Sequence, residues 1–214
     1  MKVFIRFSST GKIYSFKTSL SLKADQQVLV ETDQIIDEGM VIKKPDVSEE
    51  GQGTIIRKTT GEDKKILKSL KIKARSFLDE ARKKVLRHGL QMQILDAELS
   101  FDQKKLTFYF SAPLRIDFRG LVSDMVRTFG KLIRLQQVGA RDEAKYFGGI
   151  GKCGRELCCA KFLNNLESVT LEMAQVQELA TAGSAKLSGC CGKLMCCLAF
   201  EVQNYQKSKK KEPK

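Results

Sequence analysis

The residues best suited to carry chemistry are cysteines, and they occur in two matched groups. Residues 152–162 read KCGRELCCAKF, and residues 190–200 read CCGKLMCCLAF. Both segments contain the pattern Cys-Gly-basic-x-apolar-Cys-Cys. The matched positions hold six of the seven cysteines: Cys153, Cys158, Cys159, Cys191, Cys196 and Cys197. Two copies of so specific a unit in one short stretch are not an accident of composition, so these cysteines are the candidate site.

The spacing of the cysteines indicates which metal they suit. Clustered thiols in a reducing compartment indicate metal binding or redox chemistry rather than disulfides. Zinc sites favour C-x2-C pairs, which neither copy contains, and two adjacent cysteines do not easily bind one tetrahedral ion. Adjacent cysteines can instead serve two irons or two neighbouring clusters, so the spacing fits an iron–sulfur centre better than zinc.

The number of cysteines adds a second constraint. One cubane cluster takes four cysteine thiolates, so the six matched cysteines exceed the need of one cluster and fall short of two. Either one cluster leaves spare thiols, or partner chains complete the ligand set.

Other interpretations of the cysteines remain open. A structural zinc in a stand-alone nucleic-acid-binding protein is one, and a thiol redox protein is another, since Arg155 and Lys193 would lower the pKa of nearby thiols. Cys190 lies outside the matched set, and two alternatives are open for it: it packs, as lone cysteines often do, or it substitutes for one of the ligands.

His88 is the single histidine, which excludes a two-histidine metal motif, and the sequence shows no Ser-His-Asp constellation or Walker loop. We therefore predict that the protein is not an enzyme.

The charge of the chain indicates an anionic partner. Lys and Arg number 38 against 25 Asp and Glu, a formal net charge of +13, which points to nucleic acid or an acidic protein. A predicted helix over Lys64–His88 concentrates this charge on one face: Lys64, Lys65, Lys68, Lys71, Lys73, Arg75, Arg82, Lys83, Lys84 and Arg87. Lys68, Lys71 and Arg75 are the predicted contacts to nucleic acid or an acidic partner.

Hydrophobic periodicity predicts an α+β protein with four regions. Residues 1–52 form a small β-unit, and residues 53–138 have the order β-α-β-β-α-β of a ferredoxin-like core. An alternative assigns the first strand of this order, Gly53–Lys58, to the N-terminal unit. Residues 139–205 hold the cysteine copies in a mostly helical region, and residues 206–214, rich in lysine, form a disordered basic tail. The chain shows neither a signal peptide nor an apolar run long enough to span a membrane, so a cytoplasmic location is expected.

The cysteine segments also carry a family resemblance. Residues 139–163 and 186–201 resemble the C-terminal domain of the polymerase-suppressor family, and the likeness extends over nearly the whole chain. In that family a subunit of this kind joins two small helical partners, RicA and RicF, in a complex carrying [4Fe-4S] clusters. The resemblance implies the six matched cysteines as ligands. It also implies a non-catalytic role in ribonuclease Y-dependent mRNA maturation, with RNA contact possibly indirect, and in spore formers a link to sporulation.

Overall fold

The computed structural model divides the chain into two compact units, Met1–Gln137 (unit 1) and Val138–Lys214 (unit 2). Each unit is considered by itself. The residues that the structure describes are 2–7, 13–43, 49–163, 168–179 and 183–209.

The first part of unit 1 is a six-stranded sheet. Its strands are β1 (Lys2–Phe7), β2 (Ile13–Lys17), β3 (Gln27–Thr32), β4 (Ile35–Ile42), β5 (Glu49–Glu50) and β6 (Thr54–Lys58), in the order β5-β2-β1-β4-β3-β6. The pairs are antiparallel except for β2 with β5. Alternating residues of β1, Val3, Ile5 and Phe7, are buried in an apolar core with Phe16 of β2. This pattern is the period-2 alternation that a strand with one buried face requires.

The second part of unit 1 packs helices on a three-stranded sheet. The elements are α1 (Gly61–Ser76), α2 (Leu78–Arg87), β7 (Gln93–Leu99), β8 (Lys105–Ser111), α3 (Arg119–Phe129) and β9 (Leu132–Gln137). Strand β8 pairs antiparallel with β7 and parallel with β9, so α3 is the crossover helix between two parallel strands. Phe108 of β8 and Met125 of α3 are fully buried in the shared core.

The α+β class and the predicted order of elements are confirmed, but the ferredoxin-like sheet is wrong in one strand. Strand β6 was expected in the core sheet, and it pairs instead with β3, from Glu31 opposite Thr54 to Val28 opposite Lys58. Gly53 makes this pairing possible. Its φ is +141°, and a Cβ there would come within 2.1 Å of the Glu31 carbonyl oxygen. The close approach therefore requires glycine, and the core sheet keeps three strands.

The predicted long helix is two consecutive helices. The chain between α1 and α2 passes through Phe77, whose half-buried ring packs on Phe129 of α3 with centroids 5.3 Å apart. Thr60 begins α1 with a capping box, in which its hydroxyl accepts from the Asp63 N–H and the Asp63 carboxylate accepts from the Thr60 N–H. Such a box satisfies backbone donors that the first turn leaves free.

Unit 2 consists of short helices. They are α4 (Ala140–Phe147), α5 (Cys158–Lys161), α6 (Leu171–Val176), α7 (Ser184–Leu187) and α8 (Cys196–Lys209). Ala174, Leu187 and Leu198 form its small buried core. Helix α8 continues through Lys209, because glutamine and lysine favour helix. The first residues of the tail that was predicted to be disordered, 206–209, are therefore helical. Residues 210–214 lie outside the described part. Among the described residues, no helix is long and apolar enough to cross a membrane.

Candidate metal centre

The two cysteine copies fold in the same way. In the first copy the N–H of Gly151 donates to the carbonyl of Arg155 at 2.8 Å, and in the second the N–H of Gly189 donates to the carbonyl of Lys193 at 2.8 Å. Each bond closes a short loop around the first cysteine of its copy. The sequence repeat is therefore also a structural repeat.

A glycine in the left-handed region turns each loop. Gly154 has a φ of +75°, and Gly192, at the matched position, has a φ of +71°. Apart from the adjoining residues, no atom in the described part of the chain lies within 4 Å of a Cβ built at either position, so the backbone conformation, and not the available space, favours glycine. The glycine after the first cysteine thus returns the chain toward the cysteine pair.

The adjacent cysteines lie at the start of a helix in both copies. Helix α5 begins at Cys158 and α8 begins at Cys196. Behind each helix start, the equivalent residues Phe162 and Phe200 contact one another edge to face, with ring centroids 5.3 Å apart. Matched residues of the two copies therefore touch, so the two copies pack against each other.

This packing brings the cysteines together. A cavity of about 90 Å³ is lined by every cysteine of the chain: Cys153, Cys158, Cys159, Cys190, Cys191, Cys196 and Cys197. All seven are free thiols. Cys159 is buried, Cys153 and Cys190 are exposed, and the others are half-buried. The structure therefore places the six predicted ligands around one cavity, and it places Cys190 there as well.

The pKa values of two thiols show how close the copies are. Burial raises the pKa of Cys196, and although Arg141 opposes the rise, the thiols of the first copy add to it: those of Cys159 and Cys158. Burial also raises the pKa of Cys197, with Glu201 and Cys158 contributing. The lowered thiol pKa that a redox protein needs is thus not found at these two cysteines.

Arg141 is a residue that the sequence analysis missed. Its Nη2 donates to the Leu194 carbonyl at 2.9 Å, so the side chain of α4 reaches the second cysteine loop. Its Nε is buried and has no hydrogen-bond partner within the part of the chain that the structure describes. No repeat or spacing marks Arg141 in the sequence, because its role depends on the packing of α4 against a loop more than fifty residues later.

The donor set fits a thiolate-bound metal centre by its chemistry. The walls of the cavity between the cysteines are largely apolar, with Leu157, Leu194 and Met195 among them. Soft thiolate donors select iron–sulfur clusters or zinc, and an unpaired guanidinium N–H suits the negative charge of a thiolate-ligated centre. Among the described residues, no three His, Cys, Asp or Glu side chains already stand at the distances of a metal site.

The predicted basic contacts lie apart from the cysteines in the sequence, on α1 of unit 1. Lys68, Lys71 and Arg75 are exposed, as predicted. Lys84, which was expected on the same exposed face, is 4% exposed and donates to Asp124 at 2.9 Å. The prediction that Lys84 is exposed was wrong, because its partner Asp124 belongs to α3, forty residues later.

Comparisons with known proteins identify the class to which this fold and cysteine arrangement belong. Residues 53–138 match the PSP1 C-terminal conserved region, and residues 168–212 match the third domain of PSP1-like proteins. The chain belongs to the PSP1 family, which confirms the polymerase-suppressor resemblance. It is 42% identical over 215 residues to the stage 0 sporulation protein YaaT of Bacillus subtilis, covering 98% of this chain and 78% of that protein.

A second similarity is short. Over 46 residues the chain is 50% identical to an uncharacterised protein of Schizosaccharomyces pombe, which covers 22% of this chain and 6% of that protein. No solved structure matches the chain.

Proposed function

We propose that this chain is a non-catalytic regulatory subunit that holds an iron–sulfur cluster between its two cysteine copies. The observation that carries the proposal is the cavity shared by all seven cysteines. Two loops closed by equivalent hydrogen bonds both line this cavity with their cysteines. Cysteines that only pack in a protein core, without a ligand, would not require two loops of the same conformation.

The residues of the chain have separate parts in this site. The thiols of Cys153, Cys158, Cys159, Cys191, Cys196 and Cys197 are the proposed ligands. A bound cluster supplies a covalent link between the two loops and a centre that oxidants can damage. The Arg141 guanidinium lies close enough to Cys196 to oppose the rise of its pKa, so it favours the thiolate that a metal needs.

Partner proteins complete the proposal. A [4Fe-4S] cluster takes four thiolates, and seven cysteines do not divide into whole clusters. Helical partners resembling RicA and RicF would bring the remaining ligands. The family membership and the sporulation protein YaaT as relative support a regulatory role. We propose that this role is exerted in the cytoplasm on ribonuclease Y-dependent mRNA processing, as the family resemblance implies.

Iron and acid-labile sulfide analysis tests the ligand assignment. After anaerobic purification with its partners, the wild-type complex should contain both elements and absorb in the visible range. Cys158→Ser and Cys196→Ser should abolish that absorbance, whereas Cys190→Ser, at an exposed cysteine outside the matched set, should keep most of it. Full absorbance in both ligand variants would refute the assignment. Zinc without sulfide would support the structural-zinc alternative.

Iron and sulfide analysis of the isolated chain tests whether partner proteins contribute ligands. Without partners the chain should carry one labile cluster or none, because its thiols do not complete two ligand sets. Adding cysteine-containing helical partners should raise the iron and sulfide per chain. Two stable, stoichiometric cubanes in the isolated chain would show that no partner contributes ligands.

A further inference from the structure

The exposed side of α1 carries a row of cations. Lys64, Lys68, Lys71 and Arg75 are spaced four, three and four residues apart, which places them on one side of an α-helix. We call these four residues the α1 stripe. All four are exposed, and Arg75 lies 3.7 Å from Asp96 with 61% of its side chain in solvent. No hydrogen bond or ion pair engages the side chains of Lys64, Lys68 and Lys71 within the described residues.

Acidic side chains in unit 1 neutralise other cations. Buried Lys84 pairs with Asp124, buried Lys105 pairs with Asp37, and Arg57 pairs with Asp63. On α2 the exposed Asp79 pairs with Arg82, while Lys83 and Arg87 are exposed. Two acids also lie near the ends of the α1 stripe, because Asp96 pairs with Arg75 and the charge of Lys64 acts on Glu38. The side chains of Lys68 and Lys71, between them, face solvent without an ion pair among the described residues.

The stripe has the dimensions of a phosphate-binding surface. The eleven steps from Lys64 to Arg75 correspond to about 16 Å of helix at about 1.5 Å per residue. Each strand of a DNA duplex presents a phosphate about every 3.4 Å along the helix axis, so the stripe is long enough to contact several consecutive phosphates. We infer that the α1 stripe binds the phosphate backbone of a nucleic acid, independently of base sequence and of the cysteine cavity.

Two other anionic partners fit the stripe less well. A helix lying on a membrane needs a continuous apolar face beside its basic face, but the exposed Ile66 and Ile72 are six residues apart and therefore on different sides of the helix. Protein interfaces are depleted in lysine and enriched in aromatic residues, and α1 contains no aromatic residue. Phosphates need only the exposed cations.

Charge reversal with a matched control tests the inference. The triple variant Lys68→Glu, Lys71→Glu, Arg75→Glu is compared with Lys17→Glu, Lys23→Glu, Arg115→Glu, whose three sites are also exposed on unit 1. Both variants lower the net charge by the same amount. Binding of the full chain to an oligouridylate strand is measured over a range of salt concentrations. The further probes are an RNA duplex, single-stranded DNA, phosphatidylglycerol vesicles and polyglutamate.

Wild type should bind the nucleic acids, and the stripe variant should lose roughly a hundredfold in affinity at about 0.1 M salt. The slope of log affinity against log salt should become shallower by about 2, since each single-strand phosphate contributes about 0.7. The control variant should keep the wild-type affinity within a factor of a few, and its salt slope should stay close to that of wild type. An equal loss of nucleic-acid affinity in the two variants would overturn the inference. It would also be overturned if the stripe variant lost binding only to vesicles or to polyglutamate. If the reversals lower the unfolding midpoint, Lys68→Gln with Lys71→Gln replaces them, with a proportionally smaller loss expected.

Discussion

The two units of the chain are stabilised in different ways. Unit 1 has two apolar cores, one of thirteen buried residues that includes Phe108 and Met125 and one of eight that includes Ile5 and Phe16. The core of unit 2, among its described residues, has three: Ala174, Leu187 and Leu198. A small domain with so little buried apolar surface usually needs a disulfide, a metal or a partner to fold stably. The cysteines of unit 2 are free thiols, so disulfides do not stabilise it, and the metal centre proposed above would add stability to this unit.

The exposed aromatic residues of unit 2 support the same distinction between the two units. Phe147, Phe162 and Phe200 of unit 2 are 63%, 53% and 58% exposed. Large apolar side chains exposed together on one small unit are typical of a surface that another protein covers. The described residues of unit 1 thus form large apolar cores, whereas unit 2 has a small core and exposed aromatic rings, as expected if the proposed metal centre and partner complete it.

The largest effect that distinguishes the two units is expected on removal of the cluster. Chelation under oxidising conditions should open the loops of unit 2, because metal binding that orders a chain contributes to its folding free energy. Hydrogen exchange should then accelerate by orders of magnitude at 149–163 and 187–200, while β8 and α3 of unit 1 keep their protection. Unchanged exchange in unit 2 after complete loss of iron would show that its fold does not depend on the metal.

Core truncation should give the next largest effect. Phe108 is 0% exposed, so Phe108→Ala should reduce the free energy of unfolding of unit 1 by about 3–5 kcal/mol. Phe162→Ala in unit 2 removes the same atoms from a ring that is 53% exposed, and it should cost the isolated chain less than about 1 kcal/mol. Urea unfolding followed by circular dichroism measures both. Similar losses in the two variants would contradict the distinction between the units.

Local patterns in the sequence were sufficient where structure depends on nearby residues. The alternation of β1, the helical spacing of α1 and the repeated cysteine loops were all predictable, because each follows from residues within a few positions of one another. The gathering of the six matched cysteines was also foreseeable, since a duplicated motif in one short region implies two similar loops that can pack together.

Contacts between distant segments could not be predicted in this way. Strand β6 has the composition of a strand in either sheet, and its pairing with β3 depends on the close approach of Gly53 to Glu31. The burial of Lys84 depends on Asp124, and the place of Arg141 depends on Leu194. In each case a polar residue is positioned by a partner many residues away, and a single sequence contains no signal for that pairing.

The smallest effect concerns the pH dependence of unit 1. Burial raises the pKa of Glu98, and the hydrogen bond from the Tyr109 hydroxyl, 2.6 Å long, partly opposes the rise. Asp37 and Glu38 raise this pKa further, and Lys105 lowers it. A raised carboxyl pKa means that the folded state holds the proton more tightly than the unfolded state does. Unit 1 should therefore lose stability as the pH rises from the ordinary carboxyl value, about 4.3, to the raised pKa of Glu98, and the loss should level off above it.

Two substitutions isolate this contribution. Glu98→Gln cannot titrate, so the difference in unfolding free energy between this variant and wild type should change over that pH interval, with the variant gaining relative stability as the pH rises. Tyr109→Phe removes a hydrogen bond that lowers the pKa of Glu98, so it should extend the interval to higher pH. Urea midpoints between about pH 4 and pH 8 measure both effects. A constant difference between Glu98→Gln and wild type across that range would show that Glu98 titrates alike in the folded and unfolded chain and contributes no pH dependence to unit 1.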